Sequence, residues 1–362
     1  MHDAGACVHS LPSLGSHLSP CDLASKIGIK KSVCFMNLFV TGGTGFIGSH
    51  LTEHLAKESE ANKITCLVRK EERWLRGQSV EKVQGDLFSE KLIRDALEGA
   101  DVVFHCAAIV KARHESTFTR VNVEGTKNLV RWAQEAGVKK FIILSSLAAA
   151  GPGFGKPRTE QDTPNPITMY GRSKWRMEQE VSDLSDGRME ITFLRPPAVY
   201  GPREDQIYTL FTMMKRRVMP MAGNGEFPML SLMHVRDVTA GMINALHPIV
   251  SDAPLVRTYF LSGPSDVSWN MVKRSAELVF GKRIVGLKIN SGTVLALGAI
   301  SETIGQLFGF YPVLNREKSR EMIQEWRCSA DKARKELGFS PTMGLEEGVR
   351  DTIQWYRNHG WL

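Results

Sequence analysis

Several absences narrow what this chain can do before any motif is considered. Its six cysteines, Cys7, Cys21, Cys34, Cys66, Cys106 and Cys328, form no C-x-x-C pair and no metal-ligand spacing. No metal site is expected, and a reducing cytoplasm is the natural location. Cys66 and Cys106 fall in apolar strand-like runs, where cysteine acts as a small buried hydrophobe. No long basic run stands behind the formal charge of +7. Nucleic acid is therefore not an expected partner, while mild attraction to anionic ligands or membrane surfaces is allowed. Residues 1–35 lack arginine and a continuous apolar core, which argues against a transit or signal peptide. Holding Gly15, Ser16, Ser19 and Pro20, they read as a disordered extension or an over-extended gene start. No repeat and no low-complexity tract breaks the rest.

What is present describes a globular protein of 362 residues, 42% hydrophobic and 23% charged. That length holds one large α/β domain or two smaller ones sharing a cleft. Residues 36–48 read M-N-L-F-V-T-G-G-T-G-F-I-G. An apolar strand runs into a glycine turn, and Phe46, Ile47, Leu51 and Leu55 then continue at helical spacing. Strand, tight turn and helix is the context that gives a glycine fingerprint meaning. Gly42 supplies backbone freedom, Gly45 lets a pyrophosphate approach, and Gly48 lets the helix pack closely. The helix N-terminus then meets phosphate charge.

Further strands are expected at 63–68, 83–87, 101–108, 140–146 and 191–195, with helices at 123–136 and 169–184 between them. This alternation predicts an α/β fold with a doubly wound parallel sheet of the Rossmann type. Residues 36–197 form its dinucleotide-binding domain, with 233–262 returning to it. Residues 198–232 and 263–362 supply a smaller, discontinuous substrate domain.

Tyr170 and Lys174, four apart on a helix, project from one face. A charge about 4 Å from a phenol, at an effective dielectric near 20, is worth about 4 kcal/mol. That is roughly three pKa units, enough to draw a tyrosine from about 10 towards neutrality. So tuned, Tyr170 can exchange a proton with a carbinol oxygen.

Thr41–Gly48, Asp86, Leu87, His105–Ala108, Asn122, Ser145, Ser146, Tyr170, Lys174 and R-P-P-A-V-Y-G-P from Arg195 together resemble an extended short-chain dehydrogenase/reductase. The likeness runs from Met36 to Trp361. It implies Ser146, Tyr170 and Lys174 as the catalytic set, with Ser145 the less favoured serine. It also implies that Asp86 binds the adenine amino group and Leu87 flanks the ring. Ala107 and Ala108 would let the cofactor lie close, Pro197 and Val199 would pass beside the nicotinamide, and Phe46 and Ile47 would belong to the cofactor turn. Tyr170 and Lys174 also contact the nicotinamide ribose in that picture. Asn122 would start a helix or support the site, and His105 and His234 would be structural.

NAD readers place a carboxylate at the end of the second strand. Arg69 stands there instead and suits a 2′-phosphate, so NADP is favoured, with NAD as the alternative. Gly223-Asn224-Gly225 leads to Met229 and Leu230 where nucleotide-sugar enzymes of the resembled family carry an arginine. Only Arg203 or the cations at 215–217 could stand in. The stretch instead resembles the dihydroflavonol reductase and 3β-hydroxysteroid dehydrogenase branch, as does the apolar segment 293–310. That segment is expected to be a core or interface helix, with a pocket or membrane-surface role as the minor alternative. The expected activity is an NAD(P)-dependent interconversion of hydroxyl and ketone on an apolar small molecule. The rivals are a nucleotide-sugar epimerase/dehydratase and a non-catalytic dinucleotide-binding scaffold. A homodimer is left open.

Overall fold

A computed structural model describes residues 36–58, 63–153, 155–249 and 255–362. The expectation for residues 1–35 lies outside that range. Seven strands form one sheet: β1 (Leu38–Thr41), β2 (Ile64–Val68), β3 (Glu81–Gln84), β4 (Val102–His105), β5 (Lys140–Leu144), β6 (Glu190–Arg195) and β10 (Val256–Phe260). Their order is β10-β6-β5-β4-β1-β2-β3, and every pairing is parallel. β1 lies between β2 and β4, with Val40 opposite both Cys66 and Phe104. That junction is where the strand order reverses and where such sheets open a crevice.

The period of two sends side chains to two different cores. Leu38, Val40 and Phe104 join one buried cluster, while Phe39 and Val103 join the other. The first is covered by α1 (Phe46–Glu58), α7 (Val235–Asn244) and α11 (Asp331–Leu337) through Leu51, Val238 and Ala333. The second is covered by α2 (Glu90–Leu97), α3 (Gly125–Glu135) and α5 (Met169–Asp183) through Ile93, Val130 and Met177. With both faces buried, β1, β2 and β4 are near-continuous apolar runs. Edge strand β3, E-K-V-Q, carries charge instead.

A third cluster, rich in methionine, joins Tyr200, Phe211, Met214, Met219, Met221, Val272 and Ile353. It involves β7 (Ala198–Tyr200), α6 (Tyr208–Lys215), β8 (Val218–Ala222), α8 (Trp269–Phe280) and α12 (Leu345–Asn358). Here β7 and β11 (Asp266–Val267) flank β9 (Leu230–His234), and β8 pairs with β12 (Val285–Ile289). The C-terminal region also holds α9 (Ser291–Phe308) and α10 (Arg316–Met322).

Several expected boundaries move. The strand read over 83–87 is β3, which ends at Gln84, because Asp86 turns the chain by accepting from Phe88 N at 2.9 Å. The strands read over 101–108 and 140–146 stop at His105 and Leu144, leaving Ala107, Ala108, Ser145 and Ser146 beyond the ladder. The helix read from 123 begins earlier, as a π-helical turn over Thr119–Glu124.

Candidate active site

The glycine turn leaves β1 and closes on itself. Gly45 N donates to Gly42 O at 2.9 Å. Gly42 has φ +74°, and a Cβ there would stand 2.6 Å from Ala107 N. A Cβ on Gly48 would stand 2.2 Å from Gly42 O, so the close approach is of α1 to its own turn. Phe46 and Ile47 open α1 and are half-buried. The turn therefore lies against the end of β4, where Ala107 N reaches Thr41 Oγ1 at 3.4 Å. Ala108 is exposed beside it. Below the turn, His105 is locked between Thr41 Oγ1 at 2.7 Å and Thr126 Oγ1 at 2.8 Å. Burial, reinforced by the Lys174 charge, pushes this histidine down to about 3. His105 is thus a neutral structural group.

Around this turn the other expected cofactor residues stand at neighbouring strand ends. Arg69 is exposed just past β2, its carbonyl accepting from Gln84 Nε2 at 3.1 Å. Asp86 is exposed past β3, with Oδ1 held by Phe88 N and Ser89 Oγ. Leu87 is buried against Gly125, where a Cβ would come within 3.2 Å of it. Pro197 is buried between β6 and β7, and Val199 pairs with Met233 inside the smaller sheet.

Helix α5 brings the reacting groups together. Thr168 caps it by accepting from Gly171 N at 2.9 Å, which sets Tyr170 in the first turn. The half-buried Tyr170 lies beside Ser146, which caps the short helix α4 (Leu147–Ala150). Ser145 points elsewhere, donating to Glu178. One turn below Tyr170, Lys174 is 1% exposed and its Nζ donates to Leu144 O at 2.8 Å. Asn122 sits within the π-helical turn, not at a helix start. It accepts from Ile109 N at 2.9 Å and donates to Ser173 Oγ at 3.0 Å, tying the chain after β4 to α5.

The electrostatics correct one expectation. Tyr170 is not drawn towards neutrality: burial pushes its phenol up to about 12, with the Ser146 hydrogen bond opposing and the Glu321 charge adding. Lys174 does not act on it, because the ammonium is turned to Leu144 O. Burial instead pulls Lys174 down to about 8, against the opposing pull of Glu178.

Two features carried no sequence signal that was used. Glu178, one turn past Lys174, binds Arg195 Nε at 3.0 Å and also receives Arg195 Nη2 and Ser145 Oγ. Its spacing from Lys174 on one helix face could have revealed it. Glu317 of α10 accepts from Met169 N at the start of α5. No local pattern could link residues so far apart in the chain.

A model of the NAD dependent epimerase/dehydratase family matches residues 38–254, more than half of the chain. The chain belongs to this family. The ceramide reductase of Caulobacter vibrioides (strain NA1000 / CB15N) is 29% identical over 333 residues, 89% of this chain and 95% of that protein. The sterol-4-alpha-carboxylate 3-dehydrogenase, decarboxylating, of Mus musculus is 26% identical over 335 residues, 88% of this chain and 90% of the relative. The solved structure of gox2253 superposes with a TM-score of 0.75 at 29% identity, covering 91% of this chain and 100% of the other. The protein is thus an NAD-dependent oxidoreductase of the epimerase/dehydratase family. Its residues fit the family's dinucleotide: the turn at Gly42 and Gly48 has no room for a Cβ, and it lies at the switch point of the sheet.

Proposed function

We propose that this protein interconverts a hydroxyl and a ketone on an apolar small molecule, with Ser146, Tyr170 and Lys174 as the catalytic set. The single supporting observation is that Ser146 stands beside Tyr170, one turn from the buried Lys174. The nicotinamide dinucleotide supplies or accepts the hydride when bound. Tyr170, held near 12, is protonated at neutral pH and stands ready to give its proton to a carbonyl oxygen. Ser146 orients that oxygen through its hydroxyl. Lys174, brought down to about 8, still carries its charge at neutral pH and would hold the nicotinamide ribose. Gly42, Gly45, Phe46, Ile47, Gly48, Asp86, Leu87, Ala107, Ala108, Pro197 and Val199 would hold the dinucleotide. Arg69 would favour NADP. The dinucleotide would lie on residues 36–197 with 233–262, and the substrate on 198–232 and 263–362.

An apolar substrate is favoured by what the nearby cations do. Arg203 donates to Ser49 Oγ at 3.1 Å, also binds Glu53, and lies over Trp74, so its guanidinium serves α1. Leu230 packs in the methionine-rich cluster. A diphosphate buried without a cation would lose its charge-assisted hydrogen bonds. The relatives that act on ceramide and sterol, by their names, agree with this reading. The test is a thermal-shift panel with NADP present, followed by turnover of the hits. Polycyclic and long-chain ketones or alcohols should stabilise the protein and be turned over. Stabilisation by nucleotide sugars alone would move the assignment to an epimerase or dehydratase.

A further inference from the structure

Helix α9 wears its apolar side outward. Of its 18 residues only Val294, Gly298 and Gly305 are buried. A Cβ on Gly298 would stand 2.4 Å from Ser319 Oγ of α10, and one on Gly305 would stand 2.7 Å from Phe310 O. The small residues therefore face the protein and the large ones face away. Leu307 is 76% and Phe308 77% exposed, with Ile300 and Ile304 exposed on the same helix. Phe310, Tyr311 and Val313 extend the patch past Gly309. This departs from a core helix and leaves the interface and membrane-surface readings, because apolar composition does not say which way a helix faces. Monomers in water expose large apolar groups singly, not in such a run.

We propose that α9 and the segment 309–313 dock on the surface of a lipid bilayer that contains anionic lipid. Charge and order along the chain fit that occupant. Helix α9 has no lysine or arginine and one acid, Glu302, whose Oε2 is held by Arg316 N at 2.8 Å. The aromatic residues Phe308, Phe310 and Tyr311 follow, and then α10, where the exposed cations Arg316, Lys318 and Arg320 outnumber Glu317 and Glu321, the latter paired with Lys318 at 2.8 Å. Apolar, aromatic and basic is also the order of layers from acyl chains to headgroups. The net charge of +7 adds to the attraction. Among the described residues no helix is long and apolar enough to cross a membrane, so α9 lies in the interface.

Docking also serves the site. Through Glu317 on Met169 N and the Glu321 charge at Tyr170, α10 joins the docked face to the reacting tyrosine. An apolar substrate dissolved in the bilayer meets the protein beside Tyr170; this step rests on the reading of the substrate given above. The experiment is co-sedimentation of the full chain with phosphatidylcholine vesicles, with and without phosphatidylglycerol. The protein should bind the mixed vesicles, and added salt should weaken the binding. Leu307→Gln with Phe308→Gln should reduce binding to both vesicle types by roughly tenfold or more. Arg316→Glu with Lys318→Glu and Arg320→Glu should reduce binding to the anionic vesicles by a similar factor, roughly tenfold. Unchanged cofactor-induced thermal shifts in both variants would show that the fold persists. A wild type that stays in the supernatant overturns the proposal. So does a dimer that the Leu307→Gln, Phe308→Gln variant splits, with no vesicle binding by either protein. Vesicle binding needs no turnover, so its failure and that of the enzymatic reading are separable.

Discussion

Lys174 has to carry a positive charge where water scarcely reaches, and its neighbours explain how. Its Nζ has one carbonyl partner, and the Glu178 charge opposes the loss of its proton. Glu178 is itself neutralised by Arg195, with both side chains at most 5% exposed. Arg195 lies between the rings of Trp175 and Phe260. Removing one partner of such a pair leaves a buried, uncompensated charge. Glu178→Gln should therefore lower stability by about 3–5 kcal/mol in urea unfolding, and an unchanged midpoint would contradict this. That Tyr170 and Lys174 share one helix, a turn apart, was legible from spacing. The direction of Lys174 Nζ was not, because spacing fixes a face but not where a long side chain ends. The position of Arg69 just past β2, with no carboxylate there, was legible too. If it reads a 2′-phosphate, NADPH should bind more tightly than NADH, and Arg69→Glu should erase or reverse the preference in calorimetric titrations. Equal wild-type affinities would count against it.

Elements reveal what single residues do not. The turn between β1 and α1 was legible because strand, glycines and helix occur in one continuous stretch. Its tightness can be tested at Gly48, where a methyl group has only 2.2 Å to Gly42 O. Gly48→Ala should push α1 away from the turn, costing about 1–3 kcal/mol of stability and most of the dinucleotide affinity. Wild-type affinity by titration would contradict the packing described. The ends of β3, β4 and β5 were less legible, since a parallel strand stops where its neighbours stop pairing and not where the apolar letters stop. The strand pattern anticipated the doubly wound sheet, whereas the cover that α10 places over the start of α5 depends on contacts between distant segments.

At the scale of the whole molecule, buried ionisable groups set how stability follows pH. Lys174 lies near 8 in the fold against 10.5 for an ordinary lysine. Above pH 8 the unfolded chain holds the extra proton, so stability rises with pH. The thiols act oppositely: burial lifts Cys66 and Cys106 to about 12 from 9.0, and Cys328 higher still. Above pH 9 the unfolded chain loses those protons first, and stability falls. Urea midpoints should therefore rise slightly up to about pH 8.5 and drop beyond. A steady fall from pH 8, or a rise that survives in Lys174→Met, would contradict the assignment.

The central claim concerns net redox turnover at Tyr170. An oxidoreductase that works through this tyrosine consumes reduced nicotinamide in step with an apolar ketone, whereas an epimerase that retains its cofactor shows no net change. The decisive measurement follows nicotinamide absorbance with the best ketone from the panel, for the wild type and for Tyr170→Phe. Stoichiometric oxidation by the wild type is expected, with turnover lowered at least about a hundredfold in the variant and cofactor affinity nearly unchanged. No net oxidation by the wild type with any apolar ketone, or near wild-type turnover by Tyr170→Phe, would contradict it.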